Sequence, residues 1–168
     1  GGGGAILTDN LDLADRAKHL STTAKIPHRW LFEHDAMGFN YRMPALNAAL
    51  GCGQMEKLPN MLLRKRRLAE CYKSAFEGLS GVRFISERKD SESNYWLNTL
   101  VLQDGSGQTL EKLLEATNNA EIMTRPAWTP LHLLPIYKNC PKMDLSITEN
   151  IYRRVINIPS SAYLYKKD

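Results

Sequence analysis

The residues whose side chains could bind a ligand or take part in a reaction lie in two stretches of the chain. One is Arg125-Pro126-Ala127-Trp128, where a short strand pattern ends, and the other is the irregular segment 21–43. An arginine in such a place can hold an anion with two parallel hydrogen bonds, and a tryptophan beside it can stack on a flat ring. A surface arginine beside a core tryptophan is the alternative, and these residues alone leave both open.

The histidines of these stretches also allow two interpretations. His132 follows Pro130-Leu131 and could be a packed loop residue or a hydrogen-bond donor to a ligand. His28, His34 and Asp35 could bind a metal, but their spacing matches no helical zinc pair and no second cluster completes a site. We therefore predict no metal site. No Ser-His-Asp or Cys-His arrangement has a recognisable local signature either.

The first half of the chain must position segment 21–43. The pattern predicts a buried strand over residues 5–8 and a helix over residues 11–20, followed by an irregular loop of the length that is usually functional. Gly38 is expected to give this loop a flexible point. From Pro44 the pattern is helical, with Pro59 expected to break or kink the helix.

The second half alternates short elements. After Gly78 and Gly81 end the long helix, the following elements are predicted: strands over 82–85, 95–102, 122–124 and 156–158, helices over 109–116 and 146–155, and a turn over 104–107. Ser146 and Glu149 are expected to cap the last helix as a capping box. The pattern indicates part of one lobe, a connecting helix and a compact α+β lobe.

Composition excludes several classes of protein. The chain has 168 residues, of which 43% are apolar and 24% charged, so it can bury a core and is not disordered. No apolar run approaches about 20 residues, so we expect no membrane-spanning helix. The first residues lack the basic and apolar regions of a signal peptide, and the missing initiator Met suggests that the chain begins within something larger.

The charge and the cysteines give two further expectations. The formal net charge is +4 and includes the run Arg64-Lys65-Arg66-Arg67, which is shorter than a typical nucleic-acid arm and is expected to be a solvated helix face. The three cysteines are odd in number and have no C-x-x-C spacing. They are expected to be reduced thiols of a cytoplasmic protein.

Several motifs occur in a familiar order. They are Gly1 to Thr8, Gly-Phe-Asn-Tyr-Arg-Met at 38–43, Asn-Ala-Ala-Leu-Gly at 47–51 with Gln54 after it, Lys65-Arg66 followed by Tyr72, Arg125-Pro126 and Pro130-Leu131-His132. This order resembles the DegT/DnrJ/EryC1/StrS family of pyridoxal-phosphate (PLP) sugar aminotransferases. Segments 22–28 and 93–98 and the pair His34-Asp35 are most similar to the branch that aminates the 4-keto position of UDP-linked 6-deoxy-N-acetylhexosamines, on routes to legionaminic acid and bacillosamine.

The resemblance implies an α/β fold, the C-terminal portion of an aspartate-aminotransferase-like (fold type I) enzyme. Residues 1–60 would be the remnant of the large PLP-binding domain with a dimer-contact helix, 61–81 a connecting helix and 82–168 a small α+β domain. Such enzymes are homodimers with shared active sites. Their Schiff-base lysine lies in a Ser-Phe-x-x-x-Lys segment, here expected upstream of Gly1, so this chain alone is predicted to be inactive.

The resemblance also implies roles for individual residues. The full enzyme would use PLP to transfer an amino group from glutamate to a UDP-linked sugar, with Asn40 binding the PLP phosphate of the partner subunit. Arg125, Trp128 and His132 would bind the substrate through its diphosphate, its uracil or sugar ring, and a hydroxyl or phosphate oxygen. Two alternatives remain: a sugar dehydratase of the same fold, and a non-catalytic module that binds nucleic acid through residues 64–67. We expect neither a nucleic-acid nor a membrane partner.

Overall fold

The computed structural model describes residues 2–103 and 109–165. The chain forms two compact units, Gly1–Leu58 and Pro59–Asp168. Within the described ranges, no helix is both long and apolar enough to cross a bilayer. The turn predicted over 104–107 lies outside the described residues.

The first unit begins with an extended segment and helix α1 (Leu11–Ser21). Asn10 caps this helix, because its side-chain oxygen accepts a hydrogen bond of 3.1 Å from the Leu13 N–H. The strand predicted over residues 5–8 is wrong: Ile6 and Leu7 are 73% and 92% exposed. A short apolar run becomes a strand only beside a partner strand, and the described residues of this unit supply none for it.

The segment after α1 folds back on the end of that helix. Two isolated antiparallel bridges join Thr22 to Asn40 and Lys25 to His34. The prediction of Gly38 as a flexible point is wrong, because Gly38 lies against the backbone of Thr23. A glycine is required there for close approach and not for mobility.

Helix α2 (Ala45–Phe76) contains Pro59 in its interior, so of the predicted break or kink the break does not occur. Proline removes one backbone N–H and therefore one helical hydrogen bond, while the remaining bonds on either side keep the helix continuous. The predicted end of the helix is confirmed, since Gly78 follows with a φ of +79°. That left-handed conformation suits glycine at a helix end.

The second unit contains a four-stranded antiparallel sheet in the order β1-β2-β4-β3. The strands are β1 (Val82–Phe84), β2 (Asn98–Leu102), β3 (Arg125–Pro126) and β4 (Val155–Ile158). Its core combines buried residues of α2 and of the two central strands, namely Leu68, Ala69, Leu100, Val101, Leu102 and Ile156. This sheet provides the rigid frame for the residues after β3.

Two predicted strands start in the wrong place. The strand predicted from Tyr95 begins only at Asn98, because Tyr95 has a left-handed φ of +43° that no strand accommodates. The strand predicted over 122–124 is replaced by β3, which pairs with β4. The polar groups of Thr124 are used elsewhere: its hydroxyl lies 2.6 Å from the Thr117 hydroxyl, and its carbonyl accepts from the Asn118 amide.

Helices α3 (Leu110–Asn119) and α4 (Ser146–Tyr152) complete the unit. Thr109 caps α3 through its hydroxyl. The capping box predicted for α4 is wrong, because Ser146 is already helical and its hydroxyl bonds to Asp144. The helix also ends before Val155, where β4 begins.

Candidate functional site

Two tryptophans stack on each other at the surface of the second unit. The rings of Trp96 and Trp128 have their centres 5.7 Å apart, with 24° between their planes. The two residues remain 65% and 69% exposed, so Trp128 is not a core residue. Sequence reasoning missed Trp96 as a site residue, although it lies in the segment 93–98 that carries part of the resemblance.

A cavity of about 730 Å³ lies beside this tryptophan pair. Both tryptophans line it, together with Lys65, Arg125, Asn157 and Ser160 among others. Its described lining contains two cationic side chains and no carboxylate. A site with positive charge next to exposed aromatic rings favours a ligand that carries an anionic group on a flat ring.

Arg125 reaches this cavity from strand β3. Its backbone is fixed by pairing with Asn157 of β4, whose side-chain amide also donates to the Pro126 carbonyl at 3.3 Å. The guanidinium lies 3.7 Å from the Met123 sulfur, and no carboxylate among the described residues forms an ion pair with it. The charge of Arg125 is therefore available to an anion.

Lys65 is the second cation of the cavity; the sequence analysis noted it in the basic run and among the motifs of the resemblance, and gave it no role in binding the substrate. Its Nζ donates to the carbonyl oxygens of Ser160 at 2.6 Å and of Trp96 at 3.3 Å. Partial burial lowers the pKa of this lysine. The spacing of the basic run carries no signal that separates Lys65 from its neighbours, because the distinction arises from the loops that pack against α2.

The other members of the basic run also have partners inside the chain. The Arg64 guanidinium donates to the Tyr165 carbonyl at 3.0 and 2.7 Å, and Arg67 pairs with Glu70 at 3.0 Å. Arg66 binds Glu87 through two hydrogen bonds of 3.0 and 2.6 Å. The predicted solvated face is therefore wrong for the first three residues of the run.

His132 lies outside the lining of the cavity. Its Nε2 is 3.0 Å from a carboxylate oxygen of Glu149 in helix α4, and its side chain is only 9% exposed. The other oxygen of that carboxylate lies 3.7 Å from the Arg153 guanidinium. The structure thus gives His132 a partner within the chain, which ties the turn after Trp128 to α4.

Asn40 belongs to the first unit and is exposed there. Its side-chain oxygen accepts a hydrogen bond of 3.2 Å from Arg42, whose guanidinium also donates to the Thr22 carbonyl at 3.1 Å. This bond directs the oxygen of the amide to Arg42. Within the described residues the amide NH₂ group has no acceptor, so it is free to donate to an external one.

The histidines of the loop form hydrogen bonds within the first unit. His28 accepts backbone N–H bonds from Trp30 and Leu31, and His34 lies 2.7 Å from the Thr23 carbonyl. Asp35 pairs with His19 at 2.6 Å, and this hydrogen bond lowers the pKa of the aspartate. In the part of the chain that the structure describes, no group of three or more His, Cys, Asp or Glu residues could hold a metal.

Comparisons with known proteins give a consistent result. The model of the DegT/DnrJ/EryC1/StrS aminotransferase family matches residues 1–168. The chain is 32% identical over 160 residues to the GDP-perosamine synthase of Escherichia coli O157:H7, covering 95% of this chain and 42% of that protein. It is 27% identical over 168 residues to a Campylobacter jejuni UDP-4-amino-4,6-dideoxy-N-acetyl-beta-L-altrosamine transaminase, covering 99% of this chain and 45% of that one.

Solved structures show the same fold. The aminotransferase PseC of Helicobacter pylori superposes with a TM-score of 0.83 at 19% identity, over 94% of this chain and 43% of PseC. The aminotransferase TlmJ of Streptoalloteichus hindustanus gives 0.81 at 21% identity, over 92% of this chain and 41% of TlmJ. The predicted fold, a portion of a fold type I PLP aminotransferase, is confirmed.

The chain spans about two fifths of the length of the curated relatives it matches. The match nevertheless runs from its first residue to its last, through both compact units. The predicted resemblance is confirmed, and the chain belongs to the DegT/DnrJ/EryC1/StrS aminotransferase family.

Proposed function

We propose that the whole protein is a PLP-dependent aminotransferase that transfers an amino group from glutamate to the 4-keto carbon of a UDP-linked deoxysugar. Family membership supports the aminotransferase activity. The relatives named as GDP-perosamine synthase and as a UDP-altrosamine transaminase support a nucleotide-linked sugar as substrate.

The cavity beside Trp96 and Trp128 is the observation that carries this proposal. A nucleotide-linked sugar combines a flat base, an anionic diphosphate and a polar ring. The stacked indoles offer a surface for a ring, and Arg125 offers beside it a guanidinium that forms no ion pair with the described carboxylates. We propose that Arg125 binds the diphosphate and that Trp128 stacks on the uracil or covers the sugar.

His132 has a different place in this proposal. Its contact with Glu149 supports the turn that follows Trp128, and its nearly complete burial leaves little surface for a substrate hydroxyl. We propose that His132 acts on the substrate through the position of this turn. This proposal replaces the expectation from the sequence that His132 donates directly to a hydroxyl or phosphate oxygen of the substrate. In its place, His132 affects the position of Trp128.

The first unit offers a hydrogen-bond donor suited to the phosphate group of the cofactor. The free NH₂ group of Asn40 is a neutral donor suited to a phosphate oxygen, and Arg42 holds the amide so that this group faces outward. When bound, PLP stores the electrons released at the carbon whose amino group is exchanged. We propose that Asn40 contacts the PLP phosphate of the partner subunit in a homodimer with shared sites.

Two further features belong to the proposal. The family segment Ser-Phe-x-x-x-Lys does not occur in the 168 residues, so we propose that the Schiff-base lysine is not among them and that this chain alone is inactive. The free cysteines Cys52, Cys71 and Cys140 are exposed, which fits a reducing compartment such as the cytoplasm.

Steady-state kinetics of the full-length enzyme test the substrate assignment. Arg125→Ala is expected to raise KM for the UDP-sugar with little change in KM for glutamate, because the variant removes binding of one substrate only. Arg83→Ala is the matched control, since Arg83 is an exposed arginine on strand β1 that does not line the cavity. Equal losses for both substrates, with a lower Tm, would identify Arg125 as a structural residue.

A further inference from the structure

Lys65 is held at the wall of the cavity by uncharged groups. Its ammonium has three N–H donors, two of which point to the carbonyls of Trp96 and Ser160. Carbonyl oxygens satisfy these hydrogen bonds but do not neutralise the charge. Among the described residues no carboxylate lies within ion-pair distance of Lys65.

This lysine differs from the arginines on either side of it. Arg66 and Arg67 have carboxylate partners in Glu87 and Glu70. Arg64 donates to the Tyr165 carbonyl and is not part of the lining of the cavity. Lys65 therefore brings into the cavity a positive charge that its described surroundings leave unbalanced.

The burial of Lys65 makes this imbalance costly. Removing an ammonium from water without an anionic partner destabilises its charged form, and the pKa of Lys65 is lowered by burial accordingly. A bound anion would remove this penalty. Arg125 is exposed and carries no such burial penalty, but it also lines the cavity, and no carboxylate among the described residues forms an ion pair with it.

We propose that Lys65 is a second anion-binding residue of this cavity and that it binds, together with Arg125, the diphosphate of a nucleotide whose base rests on Trp96 and Trp128. The inference rests on the proposed function and adds to it a contact from helix α2. The third N–H of Lys65 donates to a phosphate oxygen. Its other two donors keep the ammonium in place before the ligand arrives, so little side-chain entropy is lost on binding.

The same contacts give Lys65 a second effect on the site. Its bond to the Trp96 carbonyl ties the backbone that carries one indole of the stack to the group that binds the anion. The base and the diphosphate of one ligand are thus bound by groups in direct contact with each other. If Lys65 only positioned Trp96, its loss would weaken the binding of charged and uncharged ligands equally. If it binds the anion, its loss would weaken the binding of charged ligands only, so the two roles can be separated by experiment.

Calorimetric titration of the full chain at low salt with UDP, uridine and inorganic diphosphate tests this inference. Lys65→Met removes the charge and keeps an unbranched apolar side chain in its place. It is expected to weaken UDP binding by about 10- to 100-fold, the equivalent of a lost charge-assisted hydrogen bond, and to leave uridine binding unchanged. Lys73→Met is the matched control, because Lys73 is an exposed lysine of the same helix.

Three outcomes would overturn the inference: unchanged affinity for UDP in Lys65→Met, a parallel loss of UDP and uridine binding, or a wild-type chain that binds neither UDP nor diphosphate. The second would show a positioning role only. Failure of the proposed function is distinguishable. In that case the wild type does not bind uridine and binds UDP no better than diphosphate, while Lys65→Met still weakens diphosphate binding. This result would support the anion site and contradict a nucleotide-linked substrate.

Discussion

Gly38 lies directly against the backbone of Thr23. A Cβ atom added to Gly38 would be 2.4 Å from the carbonyl carbon of Thr23 and 2.5 Å from the nitrogen of Ala24. The two residues on the opposite side of this contact have left-handed φ values of 74° and 49°. The backbone that precedes Asn40 is therefore shaped by a contact that only glycine permits.

Replacing Gly38 by alanine is expected to destabilise the protein by about 1–3 kcal/mol, because the added methyl group must displace backbone atoms. Urea denaturation measures the difference. Gly51→Ala is the control: a Cβ there meets no atom of the described residues within 4 Å, and Gly51 lies inside helix α2. That variant should gain about 0.5–1 kcal/mol, so equal stability of the two variants would contradict the proposed contact.

The pair Arg66–Glu87 predicts a dependence of stability on pH. The hydrogen bond from Arg66, followed by the bond from the Ser93 N–H, lowers the pKa of Glu87. A folded-state pKa below the unfolded value means that the unfolded chain binds more protons in acid. The stabilisation is therefore present above about pH 4.3, the ordinary value for glutamate, and is lost as the pH falls through the folded pKa.

Urea midpoints of wild type and Glu87→Gln between pH 3 and pH 7 measure this effect. The two proteins should differ most at neutral pH and converge in acid. Glu70→Gln is the control, because the pair Arg67–Glu70 is largely exposed and such pairs contribute little. A constant difference between wild type and Glu87→Gln at every pH would exclude the shifted carboxylate as its cause.

The elements that the sequence predicted well have strong local signals. Helix α1 has Asn10 before an apolar repeat, and the long helix ends at Gly78, where the backbone turns left-handed. Both features depend on residues within one turn of the helix end. Local physical chemistry is therefore sufficient to place them.

The errors occur where other residues bond to the polar groups on which a predicted pattern depends. Ser146 and Glu149 match a capping box, but His132 contacts the carboxylate of Glu149 and Asp144 bonds to the hydroxyl of Ser146. Similarly, Thr124 bonds to the end of α3, so the strand predicted from Ile122 starts only at Arg125. A local pattern does not show which of several available partners a polar group bonds to in the folded chain.

The candidate site was predicted only in part for the same reason. Arg125 and Trp128 stand near each other in the sequence and were found from that spacing. Trp96 and Lys65 come from two other segments, and only the folded sheet and helix α2 bring them to the same cavity. The role proposed for Asn40 came from the resemblance and from no local pattern.

Asn40→Ala tests the contact with the cofactor in the full-length enzyme. The variant should weaken PLP binding by about 1–3 kcal/mol, the range for a lost hydrogen bond to a buried phosphate. Its Tm without cofactor should match that of the wild type, because the side chain is exposed. Asn60→Ala, an exposed asparagine of α2, serves as control. Unchanged cofactor affinity in Asn40→Ala would reject the assignment.

Asn98 is a polar residue in an apolar position. It is fully buried at the start of β2, and neither its side-chain oxygen nor its nitrogen has a hydrogen-bond partner among the described residues. Side chains alternate along a strand, so Asn98 shares its face with the buried residues Leu100 and Leu102. An unpaired buried amide costs about 1–3 kcal/mol.

Asn98→Leu is therefore expected to raise the stability by about 1 kcal/mol or more, because leucine has the same branched side-chain skeleton and removes both unpaired polar atoms. Asn98→Asp should lower it at neutral pH, where a carboxylate would be buried without a cation. Burial raises the pKa of such a carboxyl, so the stability of this variant should recover as the pH falls below that value. Urea denaturation across this pH range measures both variants. Loss of stability in Asn98→Leu would show instead that the amide is satisfied, as by an ordered water, and that its polarity contributes to the fold.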